Sequence, residues 1–252
     1  MGNKVSLWTV AMASLMIFAG TVLAWRWMQS SADGPLFPAG LSSAVLPSPR
    51  PVQPFTLQDQ DEKSFTLDQL RGRWTFLFFG YTHCPDICPM ALGVLGDVFR
   101  QLQEKAGNHL TNSQVVFVSV DPKRDSAAHI RQYVQFFNPA FKGLTGTDEQ
   151  IRAFAFQVGA TYFTAADFRD ADKGEANKGE PGKGENSKGE EKGDKDADLI
   201  SHTSAIFLLD PMARLTAMFP EYNNADKIVE EYGKIREYVR SRRLYGEAAF
   251  NQ

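Results

Sequence analysis

The amino-acid sequence predicts an α/β domain with a central mixed sheet. Three observations carry that expectation. Residues 74–80, Trp-Thr-Phe-Leu-Phe-Phe-Gly, form a nearly unbroken apolar run of strand length, as in a strand buried on both faces. A helical pattern follows (Leu92, Leu95, Val98, Phe99, Leu102), then a second buried run at 114–120 closed by Asp121-Pro122. Strand, helix, strand, helix is the order of a parallel unit, to which 205–209 and 215–219, separated by Asp210-Pro211, add an antiparallel hairpin. With 252 residues, 43% of them hydrophobic and 23% charged, the chain can bury one sizeable core and still carry accessory segments.

The elements are justified in order. Val5 to Trp25 is a stretch of 21 residues without a charge. A bilayer-spanning helix needs about 20 such residues, and Trp25 and Trp27 flank Arg26 as interfacial anchors do. Residues 1–28 are therefore expected to be a short cytoplasmic tail and a single transmembrane anchor. The alternative is a cleaved signal peptide with its processing site at Val22-Leu23-Ala24. Residues 29–54 are polar and proline-rich (Pro35, Pro38, Pro47, Pro49, Pro51, Pro54), the composition of a linker. The domain is expected over 55–245. It opens with a hairpin, Phe55-Thr56-Leu57 and Ser64 to Leu67, ahead of the buried strand at 74–80.

Beyond the second buried strand, Asp125 is placed to cap a helix carrying Ile130, Val134 and Phe137. Asp148 is placed to cap another carrying Ile151, Phe154, Ala155 and Val158 before Gly159. A last helix runs from about Asn224 with Ile228, Tyr232, Ile235 and Val239 on one side. One segment breaks the pattern. Lys-Gly-Glu recurs at 173–175, 178–180, 183–185 and 188–190 without a large apolar residue, so 168–198 is expected to be a disordered insertion. A net charge of −3 and a pI near 5.8 give no reason to expect a nucleic-acid partner; the Arg240–Arg243 cluster reads as a solvated helix end.

The chemistry is expected at Cys84 and Cys88, the only two cysteines, spaced C-x-x-x-C where the buried strand hands over to a helix. A structural disulfide is the ordinary reading of two cysteines in an exported domain, but a loop this short constrains the unfolded chain little. Residues four apart share a helix face, so the reduced pair presents both sulfurs to one acceptor. A helix N-terminus favours the thiolate, the form that attacks disulfides and binds soft metals. A third ligand would separate those two uses. Of the four histidines, His109 lies in a polar turn and His129 on the exposed face of a capped helix. His83 precedes Cys84 directly and is poorly directed to share a metal with both sulfurs. His202 stands just before the 205–209 strand, at the end of the sheet where ligands bind in open α/β folds, and it is left open as a ligand.

These residues carry a resemblance. Gly80 to Pro89, Val118-Ser119-Val120-Asp121-Pro122-Lys123-Arg124-Asp125, and Ser201-His202-Thr203-Ser204 with Asp210-Pro211 resemble the Sco/SenC family of copper-binding assembly factors for cytochrome c oxidase, over roughly 52–242 without the insertion. The resemblance implies a thioredoxin-like fold and one copper per chain, Cu(I) or Cu(II), held by Cys84, Cys88 and His202. Two thiolates and an imidazole suit that soft, low-coordinate ion. Asp86, between the cysteines, either tunes the thiolates or caps the helix.

The function implied is a membrane-anchored periplasmic copper chaperone, a metal carrier more than an enzyme. It would load the binuclear site of oxidase subunit II, with a copper-donor chaperone and a thioredoxin-like reductant as further partners. The alternative is a thiol-disulfide oxidoreductase that keeps the subunit's cysteines reduced, with Cys84 and Cys88 as the catalytic pair. A reductase does not require His202, and its usual spacing is C-x-x-C. A thiol peroxidase and zinc binding at the same residues are weaker alternatives.

Overall fold

In the computed structural model, which describes residues 7–30, 40–41, 43–105, 112–164, 167 and 201–250, the apolar runs become the central strands of one sheet. The elements are α1 (Leu7–Ser30), β1 (Ala44–Pro51), β2 (Thr56–Asp59), β3 (Ser64–Thr66), β4 (Trp74–Gly80), α2 (Ile87–Lys105), β5 (Ser113–Ser119), α3 (Ala127–Phe137), β6 (Lys142–Thr145), α4 (Asp148–Val158), β7 (Tyr162–Phe163), β8 (Ser201–His202), β9 (Ile206–Leu209), β10 (Arg214–Phe219) and α5 (Ala225–Phe250). Contacts divide the chain into Leu41–Tyr232, which holds the sheet, and a second unit of Met1–Gly40 with Gly233–Gln252.

The second unit begins with α1, so the segment expected to anchor the chain is helical. Among the described residues, no helix is long and apolar enough to cross a membrane.

The sheet has the order β1-β10-β9-β4-β5-β6-β2-β3. β4, β5 and β6 are parallel, β9 runs antiparallel to β4, and β10 to β9, so the sheet is mixed as expected. All seven residues of β4 and all seven of β5 are buried, which is why both read as unbroken apolar runs. Alternation assigns their faces. Phe76 meets Phe99 of α2 and Tyr232 of α5 on one side, while Phe79 meets Phe154 of α4 on the other. The second face continues through Leu77, Val116, Val118, Leu144, Ile151, Val158 and Phe207.

Several expectations are corrected. The proline-rich stretch is not linker throughout: Ala44–Pro51 is the edge strand β1, antiparallel to β10. Its register slips between Val45 and Arg50, the interval that contains Pro47 and Pro49. Proline has no N–H for a ladder and is tolerated only at an edge or an irregularity, which β1 provides. Asp125 does not cap α3; the Ser126 hydroxyl accepts the His129 amide N–H instead. Asp148 is the first residue of α4, and Thr147 caps that helix in a reciprocal box with Gln150. Gly159 ends α4 in the left-handed region, at φ 79°. The short strands β6, β7 and β8 were not expected. The 168–198 insertion lies outside the described residues.

Candidate metal centre

The cysteine turn is built at the carboxyl end of β4. Gly80 closes the strand, and its carbonyl accepts the Val120 amide from beyond β5. A side chain at Gly80 has no room, because a Cβ built there falls 2.7 Å from the Cys88 sulfur and 3.0 Å from Phe117. The Cys84 N–H donates to the Tyr81 carbonyl, 3.2 Å, which folds the turn back on itself. The Cys88 N–H then donates to the Cys84 Sγ at 3.4 Å. That contact places the first sulfur over the orphan amides at the head of α2. Both cysteines are free thiols; Cys84 is half-buried and Cys88 is fully enclosed.

Burial reverses one expectation. Cys88 sits in the first turn of α2, where the helix favours the thiolate. Enclosure of its sulfur, followed by its hydrogen bond with Cys84, nevertheless pushes its pKa well above the usual thiol range. Desolvation of a sulfur with no access to water outweighs the roughly 0.3–1 kcal/mol available from a helix end.

Asp125, 43 residues downstream of Thr82, holds the turn from below. Its side chain is fully enclosed. It accepts the Thr82 N–H (2.9 Å), the Thr82 hydroxyl (2.6 Å) and the Ser119 hydroxyl (2.5 Å). The aspartate read as a helix cap therefore ties the end of β5 to the loop that carries the cysteines. Sequence reasoning missed this role because the partner is distant along the chain.

Tyrosines surround the thiols, and none of them was singled out in the sequence. Burial, with the nearby sulfurs, raises the Tyr81 hydroxyl to about 12, and that hydroxyl is hydrogen-bonded to Cys84. The Tyr222 hydroxyl is raised by burial and then by Cys88 and Cys84, against the lowering effect of its bond to Ser204. Tyr133 is raised by burial and by the same two sulfurs; its hydroxyl is buried and has no hydrogen-bond partner among the described residues. The Arg124 guanidinium lies 6.0 Å from the centre of the Tyr81 ring and is paired with Asp121.

His202 is placed by its backbone. It lies in β8, paired with Tyr162 of β7, and the next residue is fixed by a bond from the Thr203 N–H to the Thr161 carbonyl, 2.9 Å. Because Ile206 of β9 is opposite Phe78 of β4, the residues before Ile206 run past the end of β4 from which the cysteine turn springs. Ser204, two residues after His202, reaches the site through its bond with Tyr222. Asp86 is exposed just ahead of α2 and its carbonyl accepts the Met90 N–H, 3.2 Å. His83 is exposed and His129 half-buried rather than on an open face; their rings meet edge to face at 5.2 Å. His109 lies outside the described residues.

The reduced dithiol between β4 and α2, on a mixed sheet of this order, defines a recognisable architecture. The family model for SCO1/SenC matches residues 45–177, which include both cysteines. The chain belongs to the SCO1/SenC family. The mouse mitochondrial protein SCO2 homolog is 32% identical over 215 residues, 84% of this chain and 72% of its own length. The putative copper-binding protein of Stutzerimonas stutzeri is 35% identical over 123 residues, 49% of this chain and 59% of its own. The chain thus spans between about half and three-quarters of the length of such relatives. Among solved structures, Arabidopsis thaliana ScoI with copper bound superposes with a TM-score of 0.56 at 28% identity, covering 75% of this chain and 97% of that one. Bradyrhizobium japonicum ScoI with copper bound gives 0.54 at 28%, covering 75% and 99%. These superpositions support the thioredoxin-like fold implied by the resemblance. His202 lies beyond the stretch matched by the family model.

Proposed function

We propose that this SCO1/SenC chain is a copper carrier for cytochrome c oxidase assembly. It would bind one copper through Cys84, Cys88 and His202 and pass it to the binuclear site of oxidase subunit II. The observation that carries this reading is the reduced dithiol, with the Cys84 sulfur 3.4 Å from the Cys88 amide, on the fold shared with copper-bound relatives. Two thiolates select a soft ion, and an imidazole completes a three-coordinate Cu(I) site with room for a further ligand in the Cu(II) state.

Transfer by ligand exchange needs an accessible first ligand and a retained second one. Half-buried Cys84 and enclosed Cys88 supply that asymmetry. Ile87 and Met90, 40% and 45% exposed beside the turn, offer an apolar landing surface to the acceptor. The uncharged stretch from Val5 to Trp25 supports a single-pass anchor in the inner membrane, which would place the sheet domain in the periplasm. A copper donor and a thioredoxin-like reductant are the further partners this role calls for.

The asymmetry of the two sulfurs also favours the alternative, a thiol-disulfide reductase in which Cys84 attacks and Cys88 resolves. Copper content of subunit II in cells grown at limiting copper separates the two when Cys84→Ser is compared with His202→Ala. A carrier loses loading in both variants, whereas a reductase loses it only with the cysteine. Unchanged copper content in the Cys84→Ser strain sinks both readings.

A further inference from the structure

His83 and His129 belong to different parts of the parallel unit, the loop after β4 and the first turn of α3, yet their rings meet edge to face at 87°. Between them is Asp125, whose Oδ1 lies 3.5 Å from His83 Nδ1. One ligand atom from each of the three residues lies within 4.8 Å of the other two. Metal–nitrogen and metal–oxygen bonds of about 2.0–2.2 Å put three donors spread around one ion ~3.4–3.8 Å apart. From the 4.8 Å limit a closure of about 1 Å therefore completes the set, and the exposed His83 and half-buried His129 are able to supply it. The carboxylate needs no movement, because Thr82 and Ser119 already fix it. This is the outer-shell support that metal ligands usually require.

We propose that His83, Asp125 and His129 form a second metal site, open to solvent, that takes a divalent ion. Two imidazoles and a carboxylate are a harder donor set than the dithiol. Among available divalent ions, stability in such sites is greatest for Cu(II), with Zn(II) below it. An ion pair between His83 and Asp125 explains neither the position of His129 nor the convergence of three donors. The cap of α3 is likewise complete without the His129 side chain.

Because His83 adjoins Cys84, with Cα atoms ~3.8 Å apart along the chain, an ion held here stands at the entrance to the dithiol. That role as an entry site, though not the binding itself, rests on the copper-carrier reading.

The test uses the full chain in detergent with Cys84→Ser and Cys88→Ser combined, so that Cu(II) meets no thiol. Equilibrium dialysis is expected to give one Cu(II) per chain, with electron paramagnetic resonance showing nitrogen coupling. Adding His83→Gln or His129→Gln is expected to weaken binding at least about tenfold, the smallest loss seen even for outer-shell partners. Adding His202→Ala is expected to leave it unchanged. Titration with Zn(II) is expected to repeat the pattern at lower affinity. The proposal is overturned if the dithiol-free protein binds no Cu(II), if His129→Gln has no effect, or if His202→Ala removes the signal. Cu(I) binding by the chain with intact cysteines is read separately. Its loss alone overturns the carrier reading, and its retention in His129→Gln shows that the dithiol acts independently.

Discussion

Replacing Gly80 with alanine tests whether the Cys88 sulfur is seated against the end of β4. The added Cβ would lie 2.7 Å from that sulfur, 3.0 Å from Phe117 and 3.1 Å from Phe78, whereas ordinary contact begins near 3.4 Å. The sulfur would have to retreat by about 0.7 Å into surroundings that leave Cys88 no exposed surface. Overpacking of this kind costs about 1–3 kcal/mol. In a domain of this size, that corresponds to a fall in Tm of roughly 2–12 °C. The displaced sulfur should also weaken Cu(I) binding in a chelator competition. Gly93, in the same helix as Cys88, is the control, since a Cβ there meets nothing within 4 Å. Gly93→Ala should raise stability by about 0.5–1 kcal/mol through helix propensity alone and leave metal affinity unchanged. If Gly80→Ala matched Gly93→Ala in both melting temperature and affinity, the seating of the sulfur against Gly80 would be refuted.

Other consequences are as direct. Asp125→Asn puts an amide where the carboxylate accepts from Thr82 and Ser119, so at least one donor loses its partner; a cost of about 1–3 kcal/mol is expected in denaturant unfolding. Cys88→Ser, in an enclosed site, should destabilise the fold as well as abolish Cu(I) binding, while Cys84→Ser at its half-buried position should abolish binding with little change in melting temperature. For Asp167, burial pushes the carboxyl up, but the Thr164 N–H, Arg152 and the Thr164 hydroxyl outweigh it and hold the pKa below 3.8. A depressed carboxyl contributes stability that is present above its unfolded value and lost as pH falls through the folded one. Asp167→Asn should therefore lower stability most at neutral pH, and its deficit against the natural sequence should shrink as pH falls below about 4, flattening the acid limb of the profile.

What was legible in the sequence follows from what a sequence records. β4 and β5 were visible because strands buried on both faces must be apolar throughout, and α2 and α4 because each presents one apolar stripe. Cys84 and Cys88 were legible as a pair from their spacing, although only Cys88 lies on α2 and the turn before it, rather than a shared helix face, brings the Cys84 sulfur to the Cys88 amide. Residues that converge only through the parallel pairing of β4 with β5 were not. Asp125 looked like a cap because its nearest neighbours in sequence are helix residues, while its true partners, Thr82 and Ser119, are gathered by the sheet. His83 and His129, 46 positions apart, meet for the same reason. The tyrosines around the thiols come from three separate stretches of the chain, the loop after β4, helix α3 and the loop after β10, so no local pattern announces them. The thiol chemistry at Cys88 was misjudged because a helix end can be read from spacing, and the enclosure of one sulfur cannot.

The proline-bearing edge strand has a consequence for how the molecule tolerates crowding. A sheet edge with a full row of N–H and C=O groups is a template on which another chain can add a strand. Along β1, Pro47, Pro49 and Pro51 remove donors at alternate positions, and the slipped register between Val45 and Arg50 breaks the regular spacing an incoming strand would need. Substituting these prolines with threonine would regularise the strand and raise its β-propensity. The expected result is self-association under conditions where the natural sequence stays dispersed: the residues that disguise β1 as a linker also guard the sheet against its own copies.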